Sequence, residues 1–133
     1  MVHTNVGDGE MPWETKILKN EGIINTTCSG TMNYEQIVQM SSEGIQAGKK
    51  HGINKYLIDN RDIAPDLSLR DISNLPKAFN EQGLGSWNKV AVVFSPRSTK
   101  KENLTFFETA SFNYGFLIRI FTDKNQAIEW LKQ

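Results

Sequence analysis

Asp59-Asn60-Arg61-Asp62 is the densest knot of ionisable groups in the chain. Two carboxylates around a guanidinium can do one of two things. A carboxylate free of its neighbour and set in a pocket can act as a general acid or base, or anchor a partner. A carboxylate gripped by the guanidinium is part of a salt-bridged loop and does no chemistry. Both readings stay open for Asp59, Arg61 and Asp62. A second group, Arg97-Ser98-Thr99-Lys100-Lys101, sets cations and hydroxyls ahead of a helical stretch. The free N–H groups and dipole at a helix start favour an anion there. The stretch lacks the G-x-x-x-x-G-K-[ST] phosphate loop, and a solvated basic turn accounts for the same residues. Ser98 and Thr99 are also candidate phosphorylation sites.

Other reactive side chains are sparse. His3 and His51 are too far apart in sequence to form a metal cluster, and no metal or cofactor is expected. Cys28 stands alone. It cannot form an internal disulfide, and with no histidine near it in sequence it reads as core rather than nucleophile. The aromatic residues say more. Phe106, Phe107 and Phe112 recur at helical spacing with Ala110 and Tyr114. A helix turns about 100° per residue, so Phe112 lies roughly 120° from Phe106. They cannot share one narrow face. At least one ring faces another helix, a ligand, a partner or water, and Trp87 and Trp130 raise the same question. Phe106, Phe107 and Phe112 are therefore the candidates for an apolar pocket.

These residues must be positioned by the elements around them. Trp13–Lys19 and Ile23–Cys28 are β-rich runs joined by the turn Asn20-Glu21-Gly22, a hairpin. Ser29–Asn33 breaks the second strand. Asn33 caps a helix, with Gln36 completing the box, and His51-Gly52 ends it. Lys55–Asp59 is a short buried strand, followed by a polar loop from Asn60 to Leu67. Ser68 is the N-cap of a helix whose inner face is Leu69, Ile72, Leu75 and Phe79, with Pro76 expected to kink it or loosen its first turns. Val90–Phe94 is the clearest strand. Thr99 with Glu102 caps the aromatic helix, Leu117–Phe121 is the last strand, and Asp123 opens a terminal helix with Ala127, Ile128 and Leu131 inside. The order β-β-α-β-α-β-α-β-α predicts an α/β fold: a mixed, mostly parallel five-stranded sheet with about four helices. The hairpin supplies an antiparallel strand near one edge.

In such sheets ligands bind beyond the carboxyl ends of the parallel strands. Ser29, Thr31, Asp59–Asp62, Ser95–Thr99, Thr122 and Asp123 all fall on that rim. Helix capping alone explains many of them, because each helix start needs acceptors for its free N–H groups.

The chain has 133 residues, 38% hydrophobic and 23% charged, enough for one ordinary core and too apolar for wholesale disorder. Fifteen basic residues balance fifteen acidic ones, so no net field draws it to nucleic acid. Met1–Glu10 is polar, without the apolar region of a secretory signal, and reads as a flexible tail before a single domain at 11–133. No apolar run reaches the roughly 20 residues of a transmembrane segment. A cytoplasmic protein is expected.

The order and spacing of Cys28-Ser29-Gly30-Thr31, Tyr56-Leu57-Ile58-Asp59-Asn60-Arg61, Lys89-Val90-Ala91-Val92-Val93, and Phe121-Thr122-Asp123 with Ala127, Trp130 and Leu131 resemble the STAS-like families. These comprise the anti-sigma-factor-antagonist fold and its SpoIIAA-like relatives. The resemblance spans about residues 11 to 133. It implies a bacterial, non-enzymatic regulatory or protein-interaction module, with a protein partner or a second copy of itself. Such antagonists are switched by phosphorylation at the helix start after the third strand, where the signature reads Asp-Ser-(Ser or Thr)-Gly. Here that region is Pro65-Asp66-Leu67-Ser68-Leu69, matching at Asp66 and Ser68 and lacking the glycine and paired hydroxyls. The resemblance also carries an alternative, a binder of a small apolar or amphipathic ligand, through a suggested tie to Sec14-like lipid binding.

Overall fold

The computed structural model describes residues 12–97 and 100–133. The elements are β1 (Trp13–Leu18), β2 (Ile23–Asn33), α1 (Tyr34–His51), β3 (Lys55–Asp66), α2 (Leu69–Glu81), β4 (Lys89–Phe94), α3 (Lys101–Asn113), β5 (Leu117–Phe121) and α4 (Lys124–Lys132). The strands lie side by side in sequence order in one five-stranded sheet. β1 runs antiparallel to β2 at one edge, and β2 through β5 are parallel. The expected mixed α/β sheet with four helices is the observed one.

Strand alternation divides the core between two faces. Val90, Val92 and Phe94 of β4 pack with Ile24, Ile45 and Tyr56 under α1, α2 and α3. Ala91 and Val93 point the other way, onto Leu57, Ala127 and Leu131 under α4. A strand buried on both faces must be apolar throughout, which is why Val90–Phe94 reads as an unbroken hydrophobic run.

Local chemistry sets the helix ends. Asn33 accepts from the Gln36 backbone N–H, and the Gln36 side chain accepts from that of Asn33, both at 2.9 Å. Gly52 closes α1 with φ 66°, where a side chain would be strained. Ser68 and Asp71 form the same reciprocal box at the start of α2, at 3.0 Å each. Asp123 caps α4 through the Gln126 N–H. At α3 the N-cap position is Lys100, whose side chain makes no capping bond. Thr99, the expected cap, lies outside the described residues, as do Ser98 and the Met1–Glu10 tail.

Two expectations fail together. Ser29–Asn33 does not break β2, and Asn60–Leu67 is not a loop. The two stretches pair with each other, from Ser29 opposite Asp62 to Asn33 opposite Asp66. Gly30, Asn33 and Pro65 are turn formers and suggest a loop. Met32 and Ile63 override them, because both are buried between the sheet and α1 and hold the strand extension in place. α2 also runs uninterrupted through the buried Pro76.

The helical layer has one irregularity. α1 packs on β2 and β3, and α3 packs on β5. The backbone of α2 approaches α1 and α3 but no strand. It roofs the gap between its neighbours rather than resting on the sheet.

Candidate ligand-binding site

Beneath α2 lies a cavity of about 250 Å³. Ile72, Leu75 and Phe79 hang into it from the roof. They are three of the four apolar positions that marked α2 as amphipathic; the fourth, Leu69, is exposed, contrary to expectation, because it stands in the first turn of α2, outside the cavity lining. Gly44 and Ile45 of α1 form one wall, and Leu104 and Phe107 of α3 the other. Phe107 meets Phe79 edge-on, with ring centroids 6.4 Å apart and planes at 83°.

The floor is built by β3 in an unusual way. Tyr56, Ile58 and Asn60 line the cavity, as alternation requires, and then Ile63 and Pro65 line it too. Strict alternation would turn odd-numbered residues away. The ladder with β2 explains the change of phase: Thr27 pairs with Asp59 but Ser29 pairs with Asp62, so β3 carries one extra residue there. This β-bulge turns the strand's second half over, so both halves present side chains to the same space.

Asn60 sits at that bulge, at the carboxyl end of the parallel ladder opposite Phe94. It is 9% exposed, and among the described residues nothing hydrogen-bonds its buried carboxamide oxygen. The other polar lining residues near this end are Lys100 and Asn103, from the start of α3 beyond β4. Lys100 is exposed and marks the rim. The cavity is thus mostly apolar, with Asn60 midway along its β3 floor, Lys100 and Asn103 at the start of α3, and the Ser41 and Tyr56 hydroxyl-bearing side chains elsewhere in the lining.

The sequence candidates fall in several places. Asp59 points to the opposite side of β3 from the cavity and is 6% exposed. Arg61 grips it with Nε to Oδ1 at 2.9 Å and Nη2 to Oδ2 at 2.7 Å, while the Arg61 backbone N–H also reaches Oδ1 at 3.2 Å. Burial pushes the Asp59 carboxyl up. The Arg61 side-chain and backbone bonds, with the charges of Arg61 and Lys124, outweigh that and hold it below the usual carboxylate range. Its oxygens are committed to Arg61, as in the salt-bridged reading. Asp62 is exposed on the strand extension, and Ser68 is exposed at its cap. Arg97 is exposed, and its backbone N–H bonds Ser95 Oγ at 3.3 Å. Of the three phenylalanines only Phe107 lines the cavity. Phe106 is 40% and Phe112 78% exposed, so these rings face outward from α3. The Cys28 thiol is buried; burial first and the Asp59 charge second push its pKa up to about 12, which leaves it protonated and inert.

Sequence reasoning missed Asn103, and it placed Asn60 on the rim with Asp59–Asp62 and Lys100 in the basic stretch before α3 without assigning either to an apolar cavity. A trace of Asn60 was readable, since Tyr56-Leu57-Ile58-Asp59-Asn60 alternates and places Asn60 on the Tyr56 face. Among the described residues no group of three His, Cys, Asp or Glu could hold a metal ion, and no helix is long and apolar enough to cross a membrane.

Comparison with known proteins adds a family and a fold. Residues 23–132 match the SpoIIAA-like family. No curated protein matches. Among solved structures, an uncharacterised protein from Shewanella loihica with a SpoIIAA-like fold superposes with a TM-score of 0.59 at 19% identity, covering 96% of this chain and 99% of that one.

Proposed function

The chain belongs to the SpoIIAA-like family, and from that premise we propose that this STAS-type module works by holding one small amphipathic molecule under α2. The observation that carries the reading is the 250 Å³ cavity, mostly apolar with a few polar side chains set into its lining. Sites for small molecules are concave and mostly apolar, with a few placed polar groups, and run from about 300 Å³ upward. This one lies just below that range. At about 30 Å³ for each water-sized group, it holds on the order of eight groups. That is one short chain or a small ring system, and too little for a two-tailed phospholipid. The polar residues lining the cavity, Ser41, Tyr56, Asn60, Lys100 and Asn103, suit holding and orienting a molecule, which favours a binding module over an enzyme. A bacterial cytoplasmic setting goes with the reading. The exposed Phe106 and Phe112 on α3 offer apolar surface for a protein partner or a second copy.

A second reading is supported by Ser68. It is exposed at the cap of α2, the helix that roofs the cavity. A phosphate there would meet the free N–H groups of α2 and the nearby Asp71 carboxylate, the setting of a partner switch. Native mass spectrometry of protein purified gently from its own cells separates the two. A retained small-molecule mass is expected. Empty protein carrying phosphate or a bound protein partner would replace the first reading with the second, and empty, unmodified protein would refute both.

A further inference from the structure

The cavity's chemistry points to more than an apolar ligand. A carboxamide buried without a partner pays its desolvation with no hydrogen bond in return. Asn60 is in that position: 9% exposed, its oxygen without a partner among the described residues, on a β3 floor otherwise formed by Tyr56, Ile58, Ile63 and Pro65. A leucine would fill the same place with no such cost. Alternation from Tyr56 and Ile58 sets Asn60 facing the cavity, and the bulge just beyond it brings Ile63 back to the same face. The amide therefore stands midway along β3, level with the carboxyl end of β4, on the side of the sheet where α/β folds bind their ligands.

Resting on the ligand-binding reading above, we infer that Asn60 reads the ligand's polar group, and that the ligand is a single-tailed amphiphile whose head donates a hydrogen bond, an alcohol or an amide N–H. The tail lies along Ile58 and Val92 toward Leu84, and the donor completes the free valence of the Asn60 oxygen. A pure hydrocarbon or an ether would fill the volume and leave the amide oxygen unmet. Discrimination comes from that unmet group, since a site built to bond a donor rejects the analogue lacking it.

The test uses two isomers of equal size, 1-octanol and heptyl methyl ether, titrated into the full chain by calorimetry. Only the alcohol donates. The wild-type protein should bind the alcohol about tenfold more tightly, a net hydrogen bond of about 1.4 kcal/mol. In Asn60→Leu that preference should vanish, with alcohol binding falling to the level of the ether and ether binding held or tightened. Equal binding of the two isomers by wild-type protein would overturn the role of Asn60 while leaving the ligand site standing, and so would a preference that survives in Asn60→Leu. Binding of neither isomer would overturn the ligand-binding reading itself. The wild-type comparison needs no variant, so it decides the matter even if Asn60→Leu folds poorly.

Discussion

Gly44 and Gly48 stand one helical turn apart in α1 and face the same side, yet alanine should act on them with opposite signs. A Cβ built at Gly44 meets only Thr26 Oγ1, at 3.8 Å, an ordinary contact. Alanine there keeps the fold's geometry and gains helix propensity of up to about 1 kcal/mol, part of it from a less flexible unfolded chain. A Cβ at Gly48 collides with the Tyr56 hydroxyl and lies 2.7 Å from the Ile53 carbonyl oxygen. The hydroxyl could turn aside. The carbonyl belongs to the backbone that receives α1, so the helix end would have to lift. Overpacking of this kind costs about 1–3 kcal/mol, more than the propensity gain. Gly44→Ala should therefore stabilise by about 0.5–1 kcal/mol, and Gly48→Ala should destabilise by about 1–2 kcal/mol. Urea unfolding measures both as shifts in midpoint at constant slope. A Gly48→Ala protein as stable as wild type would refute the close seating of α1 on Tyr56, which forms a wall of the cavity. A Gly44→Ala protein less stable than wild type would refute the open space beside Thr26.

Two further outcomes follow from the charged and sulphur groups. Arg61→Ala removes the bonds that keep the Asp59 carboxyl low and leaves burial to raise it. The loss at pH 7 should be about 1–2 kcal/mol, at the low end for a bond to a charged group because the Arg61 side chain is 44% exposed. Since the wild-type Asp59 value is depressed, its stabilisation is complete above the unfolded value of about 3.9 and fades as pH falls through the folded one. The gap between wild type and variant, followed by urea unfolding from pH 7 down to pH 3, should narrow below about pH 4; a gap that ignores pH would rule the ion pair out as its source. Cys28, buried and with its pKa pushed up to about 12, should resist a thiol-specific chromogenic reagent at pH 8 in the native protein and react fully in denaturant. Rapid native reaction would mean that the strand bearing it is open.

The order of elements, the parallel core and most helix caps could be read directly because each rests on short-range chemistry. Asn33 with Gln36 and Ser68 with Asp71 are boxes closed within four residues, and Val90–Phe94 declares its burial by composition. The aromatic residues of α3 were legible only in part. Helical geometry showed that Phe106, Phe107 and Phe112 could not share a face, but it could not say which of them turned inward, because that depends on where α2 lies. Phe107 is inward because Phe79 of α2 meets it. The carboxylate cluster is the reverse case. Asp59 and Arg61 drew attention as possible chemistry, and their proximity in sequence is what lets them neutralise one another.

The cavity itself was hidden for a reason that applies to any amphipathic helix. Ile72, Leu75 and Phe79 form an apolar face, and such a face records only that it leaves water, not whether it meets a strand or a void. The backbone of α2 approaches α1 and α3 and no strand, and that arrangement is set by elements far from α2 in sequence. The bulge in β3 is concealed in the same way. Asn60-Arg61-Asp62 reads as a turn because it is polar, and only pairing with Ser29–Asn33 shows that it is a strand with one residue too many. That extra residue joins the features the site depends on. It brings Ile63 and Pro65 back to the floor beyond Asn60, which alternation already places there. A deletion that restored regular alternation would turn Ile63 and Pro65 away from the cavity. The far half of the floor is therefore specified by the irregularity of the strand rather than by any one residue type.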